Sequence, residues 1–172
     1  TLFAGAHQDL TAAAGLATTG TPQLQVATEL VVLKLLKGRL EEAGWELLEL
    51  ERVAGEELKK RITYLRAWIA FQGDRLLEAG RLLSRLAPFE GGRSSPGALY
   101  LMGRIHHGLG ERREAEAFYR LVAGEGMATP LRVAGRQALG AVLIELGEYS
   151  AAEKILKEPA SRKPPTAQKL LG

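Results

Sequence analysis

Apolar residues recur at intervals of three and four along most of the chain. Leu99, Met102, Ile105 and Leu109 form one such stripe, with Gly103 and His106 beside them, and Ala115, Phe118, Tyr119 and Val122 form the next. This spacing places side chains on one face of an α-helix, so an all-α chain without strands is expected. The stripes come in couples that meet at a glycine. Leu36-Lys37-Gly38-Arg39 leads to Ala43, Phe71-Gln72-Gly73-Asp74 to Ala79, Leu109-Gly110-Glu111 to Ala115, and Leu146-Gly147-Glu148 to Ala152. The glycines lie 35, 37 and 37 residues apart and the alanines 36, 36 and 37. A period near 36 predicts four helix pairs, each turning at its glycine.

The turn chemistry supports this division. Glycine adopts the left-handed backbone that ends many helices without strain, so turns are expected near Gly38, Gly73, Gly110 and Gly147. Asp74, Glu111 and Glu148 follow, and an acidic group suits the positive start of the next helix. Pro22, Pro96 and Pro130 open the candidate first helices, where the missing N–H costs nothing. The second unit departs from the others, because Gly73 to Ala79 is one residue longer and leaves its register open by one.

On these residues the units resemble tetratricopeptide repeats. The third matches best through Leu99, Met102, Gly103, Gly110, Glu111, Glu114, Ala115 and Tyr119, and the fourth through Leu139, Gly140, Leu143, Gly147, Tyr149, Ala152 and Leu156. The first keeps Leu30, Gly38 and Ala43 but has Val31 where a small residue is usual. The resemblance implies a right-handed superhelical solenoid of about four antiparallel helix pairs over residues 23–158, divided at about 23–55, 56–92, 96–129 and 130–158. Residues 1–20 read as an extra N-terminal helix, a cap or half of a preceding repeat. Residues 159–172 read as a proline-containing tail or the stub of a further helix. Gly103 and Gly140 on one side, and Ala43, Ala79, Ala115 and Ala152 on the other, are expected to let paired helices approach closely.

Composition narrows the chemistry. The chain has 172 residues, 46% hydrophobic content and a net charge of +3. Its arginines alternate with glutamates, as in Glu111-Arg112-Arg113-Glu114, which is the pattern of solvated helix faces, so no nucleic-acid partner is expected. No run of about 20 apolar residues exists to span a bilayer. Without cysteine there is no disulfide, thiolate metal site or cysteine nucleophile. His106 and His107 are adjacent on a helix and point about 100° apart, a poor arrangement for chelating one metal. Gly91-Gly92-Arg93-Ser94-Ser95-Pro96-Gly97 lacks the terminal Gly-Lys-Ser/Thr of a phosphate loop, and Ser94 and Ser95 have no evident base. Neither catalysis, a cofactor nor a metal is expected.

The expected function is protein binding. The resemblance implies a concave groove lined by the first helix of each pair, which maps to Thr28 and Val32, then Tyr64, Trp68 and Phe71, then Tyr100, Arg104 and His107, then Gln137, Ile144 and Glu145. Aromatic residues and arginine are the types that carry most binding energy in interfaces. A shift of one residue would exchange groove for core at Trp68 and Phe71, so both readings stand. Relatives of this type that grip a C-terminal carboxylate use a clamp of Lys, Asn and Arg. The corresponding positions here are Thr28, Val32, Tyr64, Gly97 and Leu101, so a partly apolar peptide or amphipathic helix is the expected ligand. A scaffold or assembly factor of a bacterial cytoplasm or periplasm is the leading reading. A regulatory module excised from a larger regulator and the accessory helical domain of an enzyme are the alternatives. Thr1 in place of Met and the character of both ends give the expectation of a fragment of a longer array.

Overall fold

The computed structural model describes residues 22–86, 95–124 and 129–157. These form eight helices and, among the described residues, no strand: α1 (Pro22–Leu36), α2 (Leu40–Val53), α3 (Glu56–Gln72), α4 (Leu76–Ser84), α5 (Pro96–Gly108), α6 (Arg112–Ala123), α7 (Thr129–Glu145) and α8 (Tyr149–Lys157). The expected helix at 1–20 and the expected tail at 159–172 lie outside the described residues. Each helix packs on the next in sequence, and the odd-numbered helices α3, α5 and α7 also touch in succession. Pro22 and Pro96 open α1 and α5, and Pro130 is the second residue of α7.

Four turns are built alike. Before each, a pair of crossed backbone hydrogen bonds closes the helix: Arg39 N–H donates to the Lys34 carbonyl (2.9 Å) and Gly38 N–H to the Leu35 carbonyl (3.0 Å). The same pair recurs as Arg75 to Ala70 and Asp74 to Phe71, Glu111 to His106 and Gly110 to His107, and Glu148 to Leu143 and Gly147 to Ile144. This is the Schellman arrangement, which requires one left-handed residue. Gly38, Gly110 and Gly147 supply it with φ of 75°, 78° and 78°.

The second turn corrects the sequence reading. Its left-handed residue is Asp74 (φ 58°), whereas Gly73 stays at φ −86°. With Asp74 as the equivalent of Gly38, the turn residues recur 36, 36 and 37 residues apart and each precedes its alanine by five. The extra residue of the second unit disappears, and its register is fixed. Asp74 therefore does not start the following helix; Arg75 stands where Glu111 and Glu148 stand, as Arg39 does in the first turn. Negative charge reaches those two helix starts from within their first turns, at Glu42 and Glu78, each paired with the preceding arginine.

Asp74 tolerates the left-handed region better than most side chains but not as well as glycine. Asp74→Gly should raise stability by about 0.5 kcal/mol, after the greater chain entropy of glycine when unfolded is subtracted. The urea midpoint measures it, and a drop would show that the Asp74 side chain stabilises the turn.

The small residues sit where helices meet. Ala43, Ala79 and Ala115 are fully buried and Ala152 is 2% exposed. A Cβ built on Gly103 would lie 2.5 Å from the Tyr119 ring, and one on Gly135 would lie 2.7 Å from Val122. In this way α5 presses on α6, and α7 presses on the end of α6. The core runs along the helices through Leu35, Leu47, Ile62, Leu65, Leu83 and Ile105, and continues at α6 to α8 around Tyr119, Leu139 and Leu143.

Candidate functional site

The expected groove residues divide into two groups. Thr28 is fully buried and its hydroxyl donates to the Leu24 carbonyl one turn back (2.7 Å), so its polar group is satisfied inside its own helix. Val32, Tyr64 and Trp68 are buried members of the main core. These four do not line an open groove. An aromatic stripe at helical spacing reads the same whether it faces a groove or a core, and here burial of large apolar rings outweighs exposure.

Phe71, Tyr100, Arg104 and His107 do come together. The last turn of α3 carries Phe71, and α5 carries Arg104 across from it, with the guanidinium carbon 4.5 Å from the Phe71 ring centroid. A cation over a ring face gains from the ring quadrupole. His107 lies one turn beyond Arg104. Tyr119 from α6 forms the floor, tilted against Tyr100 (centroids 5.8 Å) and met edge-on by His107 (6.4 Å). Phe71, Arg104, His107, Gly108 and Tyr119 enclose an open recess of about 300 Å³. On the next first helix, Gln137 and Ile144 are exposed.

The far wall is held by charge. Glu145 of α7 accepts from His107 Nε2 (2.9 Å) and from Arg112 Nε (2.8 Å). A carboxylate only accepts, so the His107 proton must sit on Nε2. The hydrogen bond from His107, followed by that from Arg112, holds the Glu145 carboxyl below its ordinary value of 4.5. His106, by contrast, turns away, stacks on Phe118 (5.2 Å) and reaches Glu111 through Nδ1 (2.6 Å). The two histidines thus face different neighbours, and among the described residues no three ligand-type side chains gather as a metal would need.

A second charged cluster joins α6 to the start of α8. Glu116 is buried and accepts from Arg113 (2.9 Å) and Arg120 (2.7 Å), and Arg113 also donates to Glu148 (2.6 Å) at the start of α8. Burial pushes the Glu116 carboxyl up, but the bonds from Arg120 and Arg113 together outweigh it and hold the group below 4.5. A carboxyl depressed by folding contributes stability that is complete above its unfolded value and lost as pH falls through its folded value. The stability difference between wild type and Glu116→Gln should therefore shrink as pH drops below 4.5. Denaturant midpoints taken at descending pH test this, and parallel curves would refute it.

Of the participants, Tyr119 is not marked as a groove residue by the sequence, whereas Glu145 is. Tyr119 matched a packing position, and only the structure shows that the face turned from Gly103 is also the floor of the recess. Glu145 and His107 are 38 residues apart, close to one repeat period, and that spacing was the available signal that neighbouring first helices would join them. A wider cleft of about 660 Å³ lies between α2, α3 and α4, bordered by Leu40, Trp45, Leu48, Arg66 and Ile69. Trp45 is 72% exposed there.

No protein family, curated protein or solved structure matches the chain. No described helix is long and apolar enough to cross a membrane.

Proposed function

We propose that this chain is a protein-interaction scaffold built from tetratricopeptide-like helix pairs, and that it holds a partly apolar peptide or amphipathic helix of a partner against the recess between α3, α5 and α6. The observation that carries this reading is Arg104 spread over Phe71 beside His107 and Tyr119. Rings fixed by their helices lose little freedom on binding, and aromatic and arginine side chains are the types that carry most interface energy. Exposed Ile144 and Gln137 extend the surface onto α7. The repeated Schellman turns and the buried alanines support the family likeness.

The Trp45 cleft is the competing site, favoured by its size and by the exposure of one large aromatic side chain. Peptides selected from a random display library against the whole chain separate the two. Arg104→Glu should weaken the selected peptides by about 2 kcal/mol, roughly thirtyfold, and Trp45→Ala should leave them unchanged. Loss of binding in Trp45→Ala alone would move the site to the cleft, and failure to select any peptide would count against the scaffold reading.

A further inference from the structure

The four equivalent turns define equivalent positions on the first helix of each pair. Those lying twelve, eight and five residues before the turn residue face the preceding pair. Three contacts establish this: Gly135 lies against Val122 of α6, Arg66 Nη1 donates to Glu51 of α2 (2.7 Å), and Ile105 lies against Gly80 of α4. Where a preceding pair exists, eight of the nine positions are buried, and the ninth, Arg66, is 33% exposed and ion-paired to that pair through Glu51. Ile62 is fully buried, Met102 and Ile105 are 8% and 2% exposed, and Leu139 and Val142 are 1% and 0% exposed.

On α1 the same three positions are Val26, Leu30 and Leu33. They are 60%, 52% and 50% exposed. A stacking face as apolar as its internal counterparts is thus open at the start of the described array. Terminal pairs of stacked arrays normally carry a polar outer face. The opposite end is open too. Leu156 of α8 is 49% exposed, whereas its equivalents Leu47, Leu83 and Tyr119 are 0%, 1% and 2% exposed. Tyr149, two turns earlier on the same side of α8, is 68% exposed, whereas its apolar equivalents Leu40 and Leu76 are half-buried and its third equivalent, Arg112, is a charged, exposed side chain.

We propose that a second copy of this chain occupies the α1 face, docking the Tyr149–Leu156 side of its α8 on Val26, Leu30 and Leu33, so that copies join end to start. The interface between copies then continues the one already made between successive pairs within the chain. Such a contact joins two different surfaces, so each added copy leaves one face free at either end. Assembly proceeds past two chains as concentration rises. The partner groove takes no part, and this inference stands independently of the partner proposed above.

Sedimentation velocity on the whole chain, raised to about 100 µM, where contacts of micromolar strength become populated, is the first measurement. Wild type should grow past dimer. Leu30→Glu and Tyr149→Glu, both at exposed positions, should each weaken self-association about tenfold or more, with helicity retained by circular dichroism. Each variant keeps the face that the other has lost. A mixture of the two should therefore form a complex of one copy of each and stop there. A wild-type chain that stays monomeric, as it would if its own residues 1–20 cover the α1 face, overturns the proposal. So does Tyr149→Glu that still self-associates, the sign of α1 meeting α1, or a mixture that forms no pair.

Discussion

Gly103→Ala should destabilise the protein by about 2 kcal/mol, while Gly140→Ala should change it by less than about 0.5 kcal/mol. Both glycines are buried at the same place in their pairs, and both would put a Cβ into contact too short to keep, 2.5 Å from Tyr119 Cε1 in one case and 2.7 Å from Leu156 Cδ2 in the other. The neighbour's freedom decides the outcome. Tyr119 is 2% exposed and wedged between Tyr100 and His107, so its ring cannot retreat without moving the helix. Leu156 is 49% exposed and can rotate toward solvent. In both variants alanine gains about 1 kcal/mol of helix propensity over glycine, which offsets a small repacking but not the displacement of a buried ring. Urea midpoints of the two variants give the comparison. Equal losses would mean that α8 is held as rigidly on α7 as α6 is on α5.

The legible part of this fold was its punctuation. A left-handed helix end needs glycine or a tolerant substitute, and a close helix crossing needs alanine or glycine, so both leave fixed residue types at fixed spacing. That was enough to place eight helices and four turns. It misplaced one residue, because Gly73 stands beside Asp74 and glycine is the commoner choice. The alanine five residues downstream of every turn carried the correct register.

The groove was less legible for a physical reason. Periodicity tells which side chains share a face but not what lies against that face. Thr28, Val32, Tyr64 and Trp68 occupy the same repeat positions as Tyr100, Arg104 and Gln137, yet the first four are buried and the others are not. Phe71, Arg104 and His107 instead line the open recess, and two of them carry polar ends that a core would leave unsatisfied. The α1 stripe of Val26, Leu30 and Leu33 is the converse case, since its composition is that of a core position and only its exposure distinguishes it.

Tyr119→Ala should cost about 3–5 kcal/mol, the largest loss expected from any single change near the recess, because a fully packed ring is removed from between two helices. Its surroundings offer little that could collapse into the space. Gly103 opposite has no side chain, and His107 is tied in place by its bond to Glu145. Tyr119→Leu is the gentler probe, which keeps an apolar group at the crossing and vacates the volume that a Cβ at position 103 would need. In that background Gly103→Ala should lose most of its penalty, a coupling of about 1–2 kcal/mol that two sites in direct contact can show. If a peptide occupies the recess as proposed, its binding should fall in Tyr119→Leu even where the fold is retained, since the floor ring that meets His107 is gone. Additive effects of Gly103→Ala and Tyr119→Leu on the urea midpoint would mean that the glycine is required by something other than this ring.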